Sequence, residues 1–197
     1  MNFLRKYIED KITIDDDDWQ KVKSLFTKKE YTKGQEIFSA GEVCQKIYYI
    51  SSGVARMYSI DLEGKDITWA VHYNQDGYQL DPFSGDYISY LTQSESTFFC
   101  EALCDCTIYV TDFATLDTLY ESALKWMTLA KKISDMQLVT IMQRMQILKP
   151  LTATEKYKLL KDIAPIYEQV LTNYQFASVL GVAPQSLSRI KGQIKEP

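Results

Sequence analysis

The sequence predicts an α+β protein: a strand-rich body, one long helix and a small helical tail. Three observations lead there. Between Tyr31 and Asp112, short apolar or alternating runs are cut by glycine turns. From Phe113 to Leu148 glycine is absent, and apolar residues recur at helical steps. The stretch from Thr172 to Gly192 reads as two short helices around a glycine. The expected division is residues 1–115 as the strand body with an N-terminal helix, 116–149 as the long helix, and 150–197 as a helix-turn-helix unit.

Residues 1 to about 30 have a helical texture, with DDDDW opening a segment in which Trp19, Val22, Leu25 and Phe26 share one face. The four aspartates are expected to be a solvated helix start, where carboxylates complement the N-terminal dipole. The runs QEIF, KIYYI, GVARMYSI, DITWAVHY, TFFCEAL and TIYVTDF follow, separated by Gly34, Gly41, Gly53, Gly64 and Asp76-Gly77. Strands this short and this evenly spaced suggest a sandwich or barrel, not alternating β and α units. The next stretch carries Leu124, Met127, Leu129, Ile133, Met136, Val139, Met142, Met145 and Leu148 in one apolar stripe, which Pro150 stops. A stripe this long, on a helix from about Leu116 to Leu148, exceeds what a small β domain covers and points to a second copy of the chain. TATEKYKLLKDI then opens with a Thr152-x-x-Glu155 capping box.

Composition bounds the function. The chain has 197 residues, 46% of them apolar and 24% charged, with a net charge of −4. That suffices for a real core and argues against nonspecific coating of nucleic acid. No apolar run has the length of a signal peptide or of a membrane span. A soluble, cytoplasmic protein without a membrane partner is expected, and its four cysteines are expected to be reduced thiols. From Leu151 onward six basic residues face four acidic ones, so the tail is net basic in an acidic chain.

The tail carries the sharpest signal. In QFASVL, Phe176, Val179 and Leu180 form a buried side, and the small Ala177 lets a second helix come close. Gly181 suits the left-handed turn, Val182 plugs it, and Pro184 fits the first turn of the next helix. In PQSLSRIKGQI, Leu187 and Ile190 turn inward. Gln185, Ser186, Ser188, Arg189 and Lys191 remain to reach base edges or phosphates.

This order of parts resembles the Crp/Fnr family of bacterial transcription regulators. The resemblance rests on KGQEIFSAGE, YYISSGVARMYSIDLEGKDIT and CEALCDCTIYVTDF, which look like that family's cyclic-nucleotide-binding-type β-roll, a jelly roll, and on FASVLGVAPQSLSRI in the tail. It implies a homodimer joined by the long helix, double-stranded DNA with a two-fold-symmetric operator, and RNA polymerase as a further partner. It also implies base contacts from Gln185, Ser186 and Arg189 and phosphate contacts from Thr172, Ser188 and Lys191. The chain departs from the pattern after Arg189, where any wing hairpin is short or missing. It departs again at the nucleotide cassette, which in the family pairs Gly-Glu for the ribose with Arg-Ser for the cyclic phosphate. Here Gly85-Asp86 stands for the first pair (Leu80-Asp81 is a rival) and Ser96-Thr97 for the second. No Lys or Arg occurs between Lys65 and Lys125. A buried phosphodiester without a paired charge carries a desolvation penalty, so no cofactor is expected, no tight cyclic AMP binding, and an unknown effector.

Other chemistry is thin. His72, the only histidine, lies in a strand-like run, which leaves a metal-binding cupin or a Ser-His-Asp enzyme without its ligands or base. Cys100, Cys104 and Cys106 have a spacing that could hold metal. Even spacing on one face of an extended segment reads better as packing, so neither a metal nor a catalytic site is expected. The rival reading is a small-molecule-binding β-roll whose tail mediates protein contacts.

Overall fold

The computed structural model describes residues 1–75, 78–148 and 150–195; the expected Asp76-Gly77 turn, Lys149, Glu196 and Pro197 lie outside the described residues. Two short helices, α1 (Asn2–Glu9) and α2 (Asp16–Ser24), precede the strands. Asp15 caps α2 in a reciprocal box with Asp18, so the acidic run is the helix start its charge suggested. The helical reading of the first thirty residues needs two corrections: Asp10–Asp15 interrupts it, and Thr27–Tyr31 is already strand β1.

The strands continue as β2 (Glu36–Phe38), β3 (Lys46–Ile60), β4 (Asp66–Gln75), β5 (Tyr78–Leu80), β6 (Phe83–Ser84), β7 (Phe98–Ala102) and β8 (Cys106–Asp112), with helix α3 (Tyr87–Thr92) between β6 and β7. All pairings are antiparallel. The first half of β3 pairs with β8 and β6, and its second half with β4 and β7. One long strand shared between two sets of partners curls the sheet into a half-barrel. Gly53 was expected to separate two runs. Instead it lies within β3 at φ 105° and lets the strand pass from one set of partners to the other. Alternation along β3, shifted by one residue at the irregularity between Ile50 and Ser52, sends Tyr48, Ile50 and Ala55 into the roll, beside Cys100, Cys106 and Ile108. Tyr49, between Tyr48 and Ile50, points the other way and is fully buried under the helices.

The expected single long helix is two: α4 (Phe113–Glu121) and α5 (Leu124–Leu148), broken at Ser122, whose hydroxyl donates to the Leu119 carbonyl. The apolar residues of α5 do not form one stripe. Trp126, 1% exposed, joins Leu129 and Ile133 in packing on α1 and α2, while Met136, Val139, Met142 and Met145 stay exposed. The tail follows as α6 (Ala153–Ile163), α7 (Tyr167–Val170), α8 (Asn173–Leu180) and α9 (Pro184–Lys195). The Thr152–Glu155 box forms at the head of α6. Its aromatic core, Tyr157, Tyr167 and Phe176, is continuous with Val54, Val71 and Tyr73 of the roll.

Gly53 gives a direct test of the β3 geometry. A Cβ there would sit 2.6 Å from Cys106 Sγ and 2.7 Å from the Asp105 carbonyl, at a φ that L residues rarely adopt. Gly53→Ala should lower unfolding free energy by about 2–4 kcal/mol from strain and overpacking. Gly64→Ala, at a positive φ but with nothing within 4 Å, should cost clearly less. Urea unfolding of the two variants separates these outcomes.

Candidate nucleic-acid interface

The helix pair α8–α9 is built by local rules. Thr172 caps α8 through a box in which its hydroxyl accepts from the Gln175 N–H and the Gln175 side-chain oxygen accepts from the Thr172 N–H. Gly181 closes the helix in the left-handed conformation at φ 69°, and the Val182 N–H reaches back 3.0 Å to the Ala177 carbonyl. Pro184 opens α9, where a missing N–H is harmless. Leu187, 0% exposed, and Ile190 are buried against Phe176, Ala177 and Leu180. This burial fixes which side of α9 faces out. Gln185, Ser188 and Arg189 are exposed together, and Ser186 is half-buried at their margin.

The side chains expected at phosphates are placed differently. The exposed Thr172 uses its hydroxyl for the cap. Lys191 is half-buried and folds its ammonium over the Phe176 ring, 5.3 Å from the centroid. Ser188 Oγ donates to the Pro184 carbonyl at 3.1 Å and accepts from Asn173 Nδ2 at 3.1 Å. Asn173 also donates to the Pro184 carbonyl and so ties the starts of α8 and α9 together. Sequence reasoning missed Asn173, because nothing in its neighbours tells an N1 asparagine that bonds solvent from one that bonds the next helix.

The cassette residues gather at the head of α3. Asp86 caps that helix, accepting from the Ser89 N–H at 3.0 Å, and its second oxygen accepts from Ser96 Oγ at 2.9 Å. Asp86 and Ser96 are buried, and Thr97 next to them is exposed. At Gly85 a Cβ would lie 2.9 Å from the Lys46 carbonyl, so the backbone is tightly stacked there. Both Asp86 oxygens are thus engaged within the chain. The buried cation of the roll, Arg56, is held by Asp66 at 2.6 and 2.7 Å and by Glu101 at 2.8 Å. Burial opposes its charge, and the two carboxylates outweigh that and hold its pKa above the usual value. At the rival position, Asp81 has a positive φ of 44°, and its carbonyl lies 2.7 Å from His72 Nδ1.

The cysteines do not share one extended face as expected, because a turn separates β7 from β8. Cys100 and Cys106 enter the core of the roll, and Cys104 sits half-buried in the turn. Burial pushes the Cys100 and Cys106 thiols up to about 12, so at neutral pH neither supplies a thiolate. Among the described residues no group of His, Cys, Asp or Glu is arranged to hold a metal ion. No described helix is long and apolar enough to cross a membrane.

Comparison with known proteins places this arrangement. A family model for the cyclic nucleotide-binding domain matches residues 28–123, which take in β1 from its second residue, β2–β8, α3 and α4. The fumarate and nitrate reduction regulatory protein of Vibrio cholerae is 35% identical over 75 residues, 38% of this chain and 30% of that protein. The anaerobic regulatory protein of Haemophilus influenzae is 24% identical over 183 residues, 86% of this chain and 67% of the relative. Among solved structures, the c-di-GMP-responsive global regulator CLP of Xanthomonas campestris shares the fold with a TM-score of 0.66 at 13% identity, covering 92% of both chains. With this domain matched in the roll and these regulators as relatives, the comparisons support a regulator of the Crp/Fnr type.

Proposed function

We propose that the chain is a sequence-specific DNA-binding transcription regulator of the cytoplasm, that it works as a homodimer on a two-fold-symmetric operator, and that it needs no cyclic nucleotide. The observation that carries this reading is the outward face of α9. Burial of Leu187 and Ile190 leaves Gln185, Ser188 and Arg189 exposed side by side. Arg pairs with guanine and Gln with adenine in the major groove, and Ser bonds either. The basic balance of the tail favours the same partner. Arg189→Ala should weaken operator binding by about 1–3 kcal/mol and relax preference at one base pair per half-site. An unchanged affinity for the best operator, measured by titration at fixed salt, would remove Arg189 from the interface.

The exposed face of α5 supports the dimer. Met136, Leu138, Val139, Ile141, Met142 and Met145 lie open to solvent along the half of α5 beyond its contact with α1 and α2. An exposed apolar patch of this size marks a partner, and the same face on a second chain is complementary to it. Dimerisation sets two reading helices roughly 34 Å apart on successive major grooves. Met136→Glu or Met142→Glu should weaken the dimer and DNA binding together. A wild-type chain sedimenting as a stable monomer at micromolar concentration would contradict the proposal.

Independence from cyclic nucleotides rests on the cassette. Asp86 spends both oxygens on Ser89 and Ser96, and Arg56 is committed to Asp66 and Glu101. The segment that carries the cassette has no Lys or Arg between Lys65 and Lys125 to offset the desolvation of a cyclic phosphate. Calorimetry with cyclic AMP or cyclic GMP at tens of micromolar should give no heat of binding. A sub-micromolar dissociation constant for either nucleotide would overturn this part of the reading.

A further inference from the structure

The helix pair does not hang free of the roll. In the pairing of β3 with β4, Met57 faces Ala70 and Tyr58 faces Thr68, so Trp69 is an extra residue in β4 and the ladder bulges there. Beside the bulge the Thr68 N–H donates to Ser178 Oγ of α8, at 2.7 Å. Ser178 Oγ in turn donates to the Asp66 carbonyl at 3.1 Å. One turn earlier on α8, Gln175 Nε2 donates to Glu101 Oε1 of β7 at 3.3 Å. Asp66 and Glu101 are the two carboxylates that hold the buried Arg56, whose guanidinium also donates to Thr68 Oγ1 at 2.9 Å. A closed ring results: Arg56 and Asp66 to Ser178, along α8 to Gln175, and back through Glu101.

We propose that this ring is a fixed seat that sets the orientation of the DNA-reading helices, and that it, not a bound ligand, holds the chain in its DNA-binding arrangement. The inference rests on the proposed function and adds to it the device that aims the reader. Three features make the seat stiff. Arg56 is only 3% exposed and paired on both sides, so moving Asp66 or Glu101 would strand a buried charge. The aromatic core of the tail continues into Val54, Val71 and Tyr73, so undocking would expose apolar surface. Gln175 is bound at both ends, since the oxygen that closes the capping box with Thr172 shares its amide with the nitrogen that reaches Glu101. The head of the reading unit and the roll are thereby joined through one side chain, and Gln185, Ser188 and Arg189 stay exposed while the seat is made.

The test removes the reader's half of the ring and leaves the Arg56 pairs intact. In Gln175→Glu with Ser178→Ala, which keeps an oxygen for the capping box with Thr172 and drops the nitrogen that reaches Glu101, affinity for an operator with two half-sites should fall at least tenfold, because the two readers lose their common aim. Affinity for a single half-site should stay unchanged, because α9 keeps its face. The Thr68 amide, followed by hydrogen exchange, should be protected in the wild type and exchange at least tenfold faster in the variant. If circular dichroism shows the double variant misfolded, Ser178→Ala alone should shift both readouts in the same direction. Unchanged two-site affinity would overturn the proposal. Tighter two-site binding would also overturn it, since the contact would then restrain the reader. Failure of the wild type to select any DNA sinks the proposed function and the aiming role with it. Rapid Thr68 exchange in the wild type sinks the seat alone.

Discussion

Strand β3 is the constraint on which the other parts hang. Its 15 residues pair with β4, β6, β7 and β8, so one continuous backbone spans both halves of the roll. Its period of two, shifted by one residue at the irregularity between Ile50 and Ser52, sorts the core: Tyr48, Ile50 and Ala55 fill the roll, and Tyr49 supports the helices packed outside it. The same alternation brings Arg56 between Asp66 of β4 and Glu101 of β7. A charge buried that deeply fixes its partners in place, because leaving any of them unpaired is costly. The helix pair rests on those two strands, so its position is set by β3 at one remove.

The chain divides its chemistry between two ends. Within the roll, polar groups are used up on one another: Asp86 on Ser89 and Ser96, Arg56 on two carboxylates, the thiols in the core. At α9 Gln185 and Arg189 stay exposed, because Leu187 and Ile190 turn inward. Spare hydrogen-bonding capacity on a convex helix suits a ligand with its own donors and acceptors in a groove. The named regulators among its relatives agree with that reading, and in the cassette Asp86 is bonded to Ser89 and Ser96.

Much of the fold was legible because it follows from local rules. Glycines bracketed the strands, the Thr152–Glu155 capping box marked the start of α6, and Gly181 with Pro184 fixed the turn between α8 and α9. Two features escaped because they depend on tertiary partners. Gly53 looked like a separator, but a glycine at φ 105° passes close to Asp105 and Cys106 and lets the strand run on. The long apolar stripe looked uniform, but Trp126, Leu129 and Ile133 belong to a core formed with α1 and α2, whose approach no periodicity reveals. In the tail, periodicity placed Gln185 and Arg189 outward. It could not tell that Lys191 would fold over Phe176 or that Ser188 would bond Asn173, since both depend on which neighbour wins a flexible side chain. The seat of Ser178 on Thr68 was beyond sequence reading altogether, because it arises from a bulge one residue wide.

The central claim is that α9 reads DNA as one of a symmetric pair. The most direct measurement is selection of bound duplexes from a random pool, with the winner's affinity followed across salt concentration. The account predicts enrichment of one inverted repeat whose half-sites are centred about 10 base pairs apart. It also predicts affinity that falls linearly with the logarithm of salt yet keeps a preference of at least about 1000-fold over bulk DNA. A pool that gains no consensus, or binding that salt abolishes equally for every sequence, would contradict it.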